Sequence, residues 1–287
     1  MRTALALPIA ATAAISFAAC SGATDPQMVD SGSWYRSGFR WAHDGNPFES
    51  EHFIVYSDAA SQEARRKLAE IGEALLVELK EDFGITGDTL FVWPAGQSKI
   101  HMYTYRDHYE QGWGGWSYYG GLLIFSLDHP IRDTSLANYT RVVKHELMHT
   151  IEGLIKGSDN PNLVDVWLTE GIAEYVAGGT QSISPVATLA ELDELVARFG
   201  ELNPIAMHQY NYPNIPNVGT YYYVMFELAV RYLLDPVGGG QAKYGIRDIY
   251  LDARNAIPFA SSFEENLGHN LGEFEEQFFD LIRGYLK

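Results

Sequence analysis

Intrachain disulfides are excluded, because the 287 residues include one cysteine, Cys20. Basic side chains are also scarce, with 20 Lys and Arg against 37 Asp and Glu and a net charge of −17. Such a balance keeps a chain in solution but offers a polyanion nothing to hold, so nucleic acid is not an expected partner and an anionic membrane surface repels it. No internal repeat of solenoid period is visible, and no low-complexity block follows the N-terminal segment. The composition that remains, 46% hydrophobic with 13% aromatic, supports a packed globular core.

The one long apolar run, Ala4 to Ala19, follows Met1-Arg2. A short charged start and an apolar stretch of this length read as a signal peptide (residues 1–19) rather than a lasting membrane span. Phe17-Ala18-Ala19-Cys20 resembles a bacterial lipobox, with Phe17 where Leu is more usual. Cys20 is then the expected lipidation site, which accounts for a lone thiol in an exported chain. Residues 20–48 are expected to form a lipidated N-terminus and tether, with Ser21 to Asp30 as its loosest part and Trp34 to Pro47 already packing. Losing Arg2 leaves 19 basic against 37 acidic side chains, a net charge of −18. The expectation is an exported, membrane-anchored bacterial lipoprotein, periplasmic or cell-surface, that touches the membrane through lipid alone. Cleavage near Ala19 without lipidation, giving a secreted protein, is the competing reading.

Residues 49–287 read as one α+β domain. Residues 49–133 mix strands (Glu51 to Ser57, Lys99 to Tyr105, Tyr118 to Phe125) with one amphipathic helix, Gln62 to Phe83. From residue 134 onward helical patterns dominate, including Val164 to Ala177, Val186 to Phe199, Tyr222 to Leu234, Ile246 to Arg254 and Leu271 to Leu286. A sheet-and-helix lobe followed by a helical lobe is the expected architecture, with a cleft at their junction.

Chemistry concentrates in His145-Glu146-Leu147-Met148-His149. On a helix, residues four apart stand about 6 Å apart along the axis on one face, so two imidazoles can share an ion. Asn138-Tyr139-Thr140 supplies cap-type residues before this helix, Val142, Val143, Leu147 and Ile151 its apolar contacts, and Gly153 stands near its end. Catalytic zinc takes three protein ligands and leaves a position for water, beside which Glu146 projects as a general base. Glu170, 21 residues after His149, lies on the second predicted helix, with Asn162 and Asp165 as candidate N-caps and Gly178-Gly179 as its stop. That carboxylate can complete the ligand set. Glu174, one turn later, can take the second ring N–H of a ligand histidine and fix its tautomer, unless it is an ordinary solvated carboxylate.

Together with Trp167-Leu168-Thr169-Glu170-Gly171-Ile172-Ala173-Glu174-Tyr175, this motif resembles the gluzincin metallopeptidases, most closely their compact peptidase MA-like branch of bacterial secreted proteins. The second element is similar to the Trp-Leu-x-Glu-Gly segment of the alanyl-aminopeptidase family. The resemblance implies a zincin-like fold, Zn²⁺ bound by His145, His149 and Glu170, and activation of water by Glu146. The thermolysin group likewise has an acid one turn after its ligand Glu, as at Glu174. The gap between His149 and Glu170 is slightly longer here, so the loop joining the two helices is expected to differ. Upstream, the strand, helix and strand around residues 51–105 look like the opening of the branch. Downstream, Tyr221-Tyr222-Tyr223 before Tyr232-Leu233 is similar to the segment that supplies an oxyanion-stabilising phenol. The spacing favours Tyr223, with Tyr222 as the second candidate; core packing is the competing use of both.

No Gly-Ala-Met-Glu-Asn type segment is present to hold a substrate's free amino group, so an endopeptidase is expected rather than an aminopeptidase. Gly120, Gly121 and Leu122 open an apolar run that can serve as a substrate-binding strand, or equally as a buried one. Trp113, Trp116, Tyr118 and Tyr119 among neighbouring glycines read either as a mobile aromatic loop over the cleft or as core packing. Pro213 to Asn217 reads as a rigid turn. His43, His52, His101, His108, His129, His208 and His269 show no second ligand spacing. The expected function is zinc-dependent peptide or protein hydrolysis. A non-catalytic zinc-containing lipoprotein that binds peptides or partner proteins is the alternative, disfavoured because binding alone has no use for Glu146.

Overall fold

A computed structural model describes residues 46–57, 62–105, 115–125, 136–178, 218–234 and 242–285. Cys20 and the expected leader, the predicted helix at 186–199, the turn at 213–217 and Trp113 lie outside the described residues. Within them the chain is mixed α+β, with a five-stranded mixed sheet and seven α-helices. The strands are β1 (Phe48–Glu49), β2 (Phe53–Ser57), β3 (Ile100–Tyr105), β4 (Gly115–Tyr118) and β5 (Gly121–Phe125), ordered β1-β2-β3-β5-β4. The helices are α1 (Gln62–Asp82), α2 (Leu136–Lys156), α3 (Val166–Val176), α4 (Val218–Tyr232), α5 (Ala242–Arg254), α6 (Phe259–Leu267) and α7 (Leu271–Tyr285). No helix among the described residues is long and apolar enough to cross a membrane.

Alternation sorts the strands: Phe53, Val55, Ile100, Met102, Leu122 and Ile124 are buried on one face of the sheet, two residues apart along each strand. β2, α1 and β3 form a parallel β-α-β unit in which Leu68, Leu75, Leu76 and Leu79 of α1 bury against the sheet. Gly72 lets that helix approach closely, since a Cβ there would stand 3.0 Å from the Phe53 ring. The outer strands β1 and β4 run antiparallel to their neighbours.

The run Tyr118 to Phe125 is not one strand. It is the turn and second arm of a hairpin whose first arm is β4, with Tyr118 paired to Gly121 across Tyr119-Gly120. Gly120 has φ +90°, the conformation such a turn requires and one that a side chain resists. The aromatic-rich segment read as a loop thus supplies an outer strand, because alternating Trp116, Ser117 and Tyr118 suit a pleat better than a flexible lid.

α2 starts earlier and ends later than its sequence cues suggested. Asn138, Tyr139 and Thr140 lie inside it, and Gly153 is also internal, where its bare backbone faces the Tyr119 turn. The stop is Gly157, with φ +68°. Carbonyls left over at this end are taken from outside the helix: Val92 N–H donates to Leu154 O at 2.8 Å, and Arg254 Nε donates to Ile155 O at 2.6 Å. The Arg254 charge also complements the negative helix terminus. The helix packs against α1, β4 and β5 and against α3 and α5, so the sheet and the later helices share one hydrophobic cluster.

α3 is apolar nearly all round and accordingly buried, with Trp167, Leu168, Ile172 and Ala173 fully enclosed. Asp165 occupies its N-cap position without a side-chain capping bond, and Asn162 lies in the preceding 3₁₀ turn Pro161–Leu163, which Asn160 caps. α6 was not anticipated; its nine residues are too few for periodicity to stand out.

Candidate metal centre

α2 sets His145 and His149 one turn apart, with their Nε2 atoms 3.2 Å from each other. α3 carries Glu170 against them, its Oε2 3.6 Å from His145 Nε2 and 3.4 Å from His149 Nε2. One donor atom from each residue can be chosen so that all lie within 4.8 Å, and the three side chains are almost wholly buried. Two nitrogens and a carboxylate oxygen converging away from solvent form a group that could hold a metal ion.

Helix packing fixes this convergence. Gly171 follows Glu170 at the crossing of α3 and α4, where a Cβ would stand 2.4 Å from the backbone oxygen of Phe226. The neighbouring helix therefore rests directly on α3 backbone. We expect Gly171→Ala to destabilise the fold by about 1–3 kcal/mol, as forced overpacking does. Because α3 must move, the variant should also bind divalent ions more weakly; a thermal melt and an ion titration would check both.

Each imidazole is backed by a carboxylate and a cation. His145 Nδ1 lies 3.2 Å from Glu174 Oε1, and Arg141 donates to Glu174 Oε2 at 2.5 Å. Glu174 is 1% exposed, so it is not a solvated helix carboxylate. His149 Nδ1 lies 3.6 Å from Glu152 Oε2, and Lys156 donates to Glu152 Oε1 at 2.6 Å. Sequence reasoning missed Arg141, Glu152 and Lys156. The signal was available in the spacing from His149 to Glu152 and Lys156, three and seven residues along one helix face.

Glu146 is buried beneath β4, and its Oε2 has no hydrogen-bond partner among the described residues. Gly115 makes the room, since a Cβ there would be 2.6 Å from Glu146 Cγ. Burial pushes the Glu146 carboxyl up to about 7; the two imidazoles pull it down, and Glu170 and Glu174 add to the rise. Burial acts the same way on Glu170, yet charge attraction from His149 and bonding to both imidazoles outweigh it and hold that carboxyl below its usual range. Glu174 and Glu152 are likewise lowered against burial, by His145 with Arg141 and by Lys156 with His149.

The charges around the donor atoms are unequal. Glu146, Glu152, Glu170 and Glu174 are four buried carboxyl groups, and among the described residues Arg141 and Lys156 are the permanent cations paired with them. With neutral imidazoles and ionised carboxylates, two negative charges are left over among these described, buried groups, an arrangement that is costly without compensation. One divalent cation balances it. This charge count and the unpartnered Glu146 oxygen both fit a resident dication.

Other expected residues fall elsewhere. Gly120, Gly121 and Leu122 do not form an open substrate strand, because β5 is paired on both sides, to β3 and to β4. Gly120 abuts Gln97 and Pro94, Gly121 leaves space for the Tyr118 ring lying across it, and Leu122 is in the core. The outer strand nearest Glu146 is β4. Tyr222 and Tyr223 are buried on α4, which packs against α3, and both rings approach Phe226 at 6.0 and 6.2 Å. Tyr250 of α5, absent from the sequence-based set, is fully buried with no hydrogen-bond partner for its hydroxyl among the described residues. Burial, then the charges of Glu152 and Glu170, raise its pKa well above the usual value. The sequence matches no protein-family model and no curated protein.

Proposed function

We propose that this chain is a zinc-dependent metallopeptidase of the gluzincin type, acting as an endopeptidase and exported as a membrane-anchored lipoprotein through Cys20. The observation that carries the reading is the meeting of His145, His149 and Glu170 donor atoms within 4.8 Å, with the buried Glu146 carboxyl alongside. Two imidazoles and one carboxylate form a ligand set used by catalytic zinc. When bound, zinc supplies Lewis-acid polarisation of the scissile carbonyl and makes water acidic enough to attack near neutral pH.

The protein's own groups do the rest. Glu146 accepts the proton of the attacking water on a carboxylate oxygen and returns it to the departing amine. Glu174, held by Arg141, orients His145. In this reading the outer strand β4, rather than the strand that Gly121 opens, offers its backbone groups to an extended peptide.

Tyr223 or Tyr222 donates its phenol to the oxyanion in this reading. The Phe variant of the acting tyrosine should lower kcat about 10²–10³-fold, whereas the other should change kcat little. Steady-state kinetics on the pair identifies the donor, and two variants of normal kcat would remove both from the mechanism. The reading as a whole is tested by metal analysis and by peptide-library digestion with mass-spectrometric product identification. Internal cleavage that a chelator abolishes and zinc restores is expected. A zinc-loaded protein that leaves every peptide intact would instead make the chain a binding protein.

A further inference from the structure

We infer that Glu152, anchored by Lys156, is a positioning residue for His149, accepting its Nδ1 proton when Nε2 binds the metal. This rests on the metal site proposed above.

The helix interior motivates it. α2 buries Glu152 at 3% exposure and Lys156 at 6%, between Ile151, Leu154 and Ile155, which are sealed in the core. A buried ion pair rarely improves stability over apolar residues of similar volume, so packing does not explain why a Glu and a Lys stand here. Their geometry does. One carboxylate oxygen is spent on Lys156 at 2.6 Å. The other has no hydrogen-bond partner among the described residues, and His149 Nδ1 lies 3.6 Å away, just beyond bonding distance.

That nitrogen faces away from the donor group, whose members meet at Nε2. An imidazole that binds a metal through Nε2 carries its proton on Nδ1, and the proton needs an acceptor. A closing of a few tenths of an ångström brings Glu152 Oε2 within the hydrogen-bond range. Lys156 keeps the carboxylate ionised and stops it from turning away. His145 has the same support in Glu174 and Arg141 at 3.2 and 2.5 Å. The two ligands therefore share one plan, an imidazole followed by a carboxylate and a cation. The His149 chain lies wholly on α2, while the His145 chain bridges two helices.

The test uses the full chain and three variants: Glu152→Gln, Glu152→Asp, and Glu152→Gln combined with Lys156→Met, which removes both charges at similar volume. Zinc affinity is measured by competition with a chromogenic chelator, ligand geometry by the visible spectrum of the cobalt-substituted protein, and folding by metal-free melts. The double variant is expected to keep its metal-free melting temperature, bind zinc about 10–100-fold more weakly and shift its cobalt bands. Should the double variant not fold, Glu152→Asp carries the test, because its shortened carboxylate retreats from His149 and should give the same two changes. Unaltered affinity and cobalt bands in a folded variant would overturn the role of Glu152. Failure of the wild-type chain to bind zinc or cobalt would instead remove the metal site itself.

Discussion

Glu146→Gln is expected to lower kcat/KM for peptide hydrolysis by about 10²–10⁴-fold and to leave zinc content unchanged. The amide copies the shape of a side chain that is 1% exposed and closely confined below Gly115, so α2 and its histidines have no cause to move. What is lost is the ability to accept a proton. Folding should not suffer, because the substitution removes one carboxyl from a group that, among the described residues, has four against two permanent cations. Kinetics paired with metal analysis separates the cases. Undiminished turnover would take Glu146 out of the reaction, and loss of zinc along with turnover would make its role structural.

The parts of this centre that were legible in the sequence are those set by helix pitch. His145 and His149 had to share a face once α2 was recognised, and Glu170 and Glu174 had to share one on α3. Whether α3 would lie against α2 with that face inward was not contained in either helix. It depends on Gly171 meeting the backbone of α4, about 55 residues later in the chain, and on an α3 surface apolar enough to be buried all round. The strand nearest the site was misplaced for a related reason. Tyr118 to Phe125 has the composition of a single strand, and only pairing shows that the chain turns at Gly120 and returns, leaving β4 outermost. Glu152 and Lys156 escaped notice because a Glu and a Lys four apart on a helix are ordinarily a solvated pair. Their burial comes from the elements packed around α2, a tertiary fact.

Removing the proposed metal should therefore be felt by the whole fold. A ligand that binds only the native state stabilises it by about 4 kcal/mol when present at 1,000 times its Kd. For a domain of this size that corresponds to roughly 8–16 °C in melting temperature. We expect chelation to lower the melting temperature by about that much and zinc to restore it, since the proposed ion would join α2 to α3 within the shared core. Glu170→Gln should abolish the response. It turns the only carboxylate that α3 gives to the three-residue group into a neutral amide, a much weaker ligand, so an ion held mainly by His145 and His149 would no longer tie the helices together. Glu146→Gln, by contrast, should respond to zinc as the wild type does, because Glu146 is not among the donors. Calorimetry of the three proteins with and without chelator gives the comparison. Equal melting temperatures for the wild type under both conditions, after incubation with zinc, cobalt and manganese in turn, would mean that the buried charges are balanced by protons and that no ion resides between the helices.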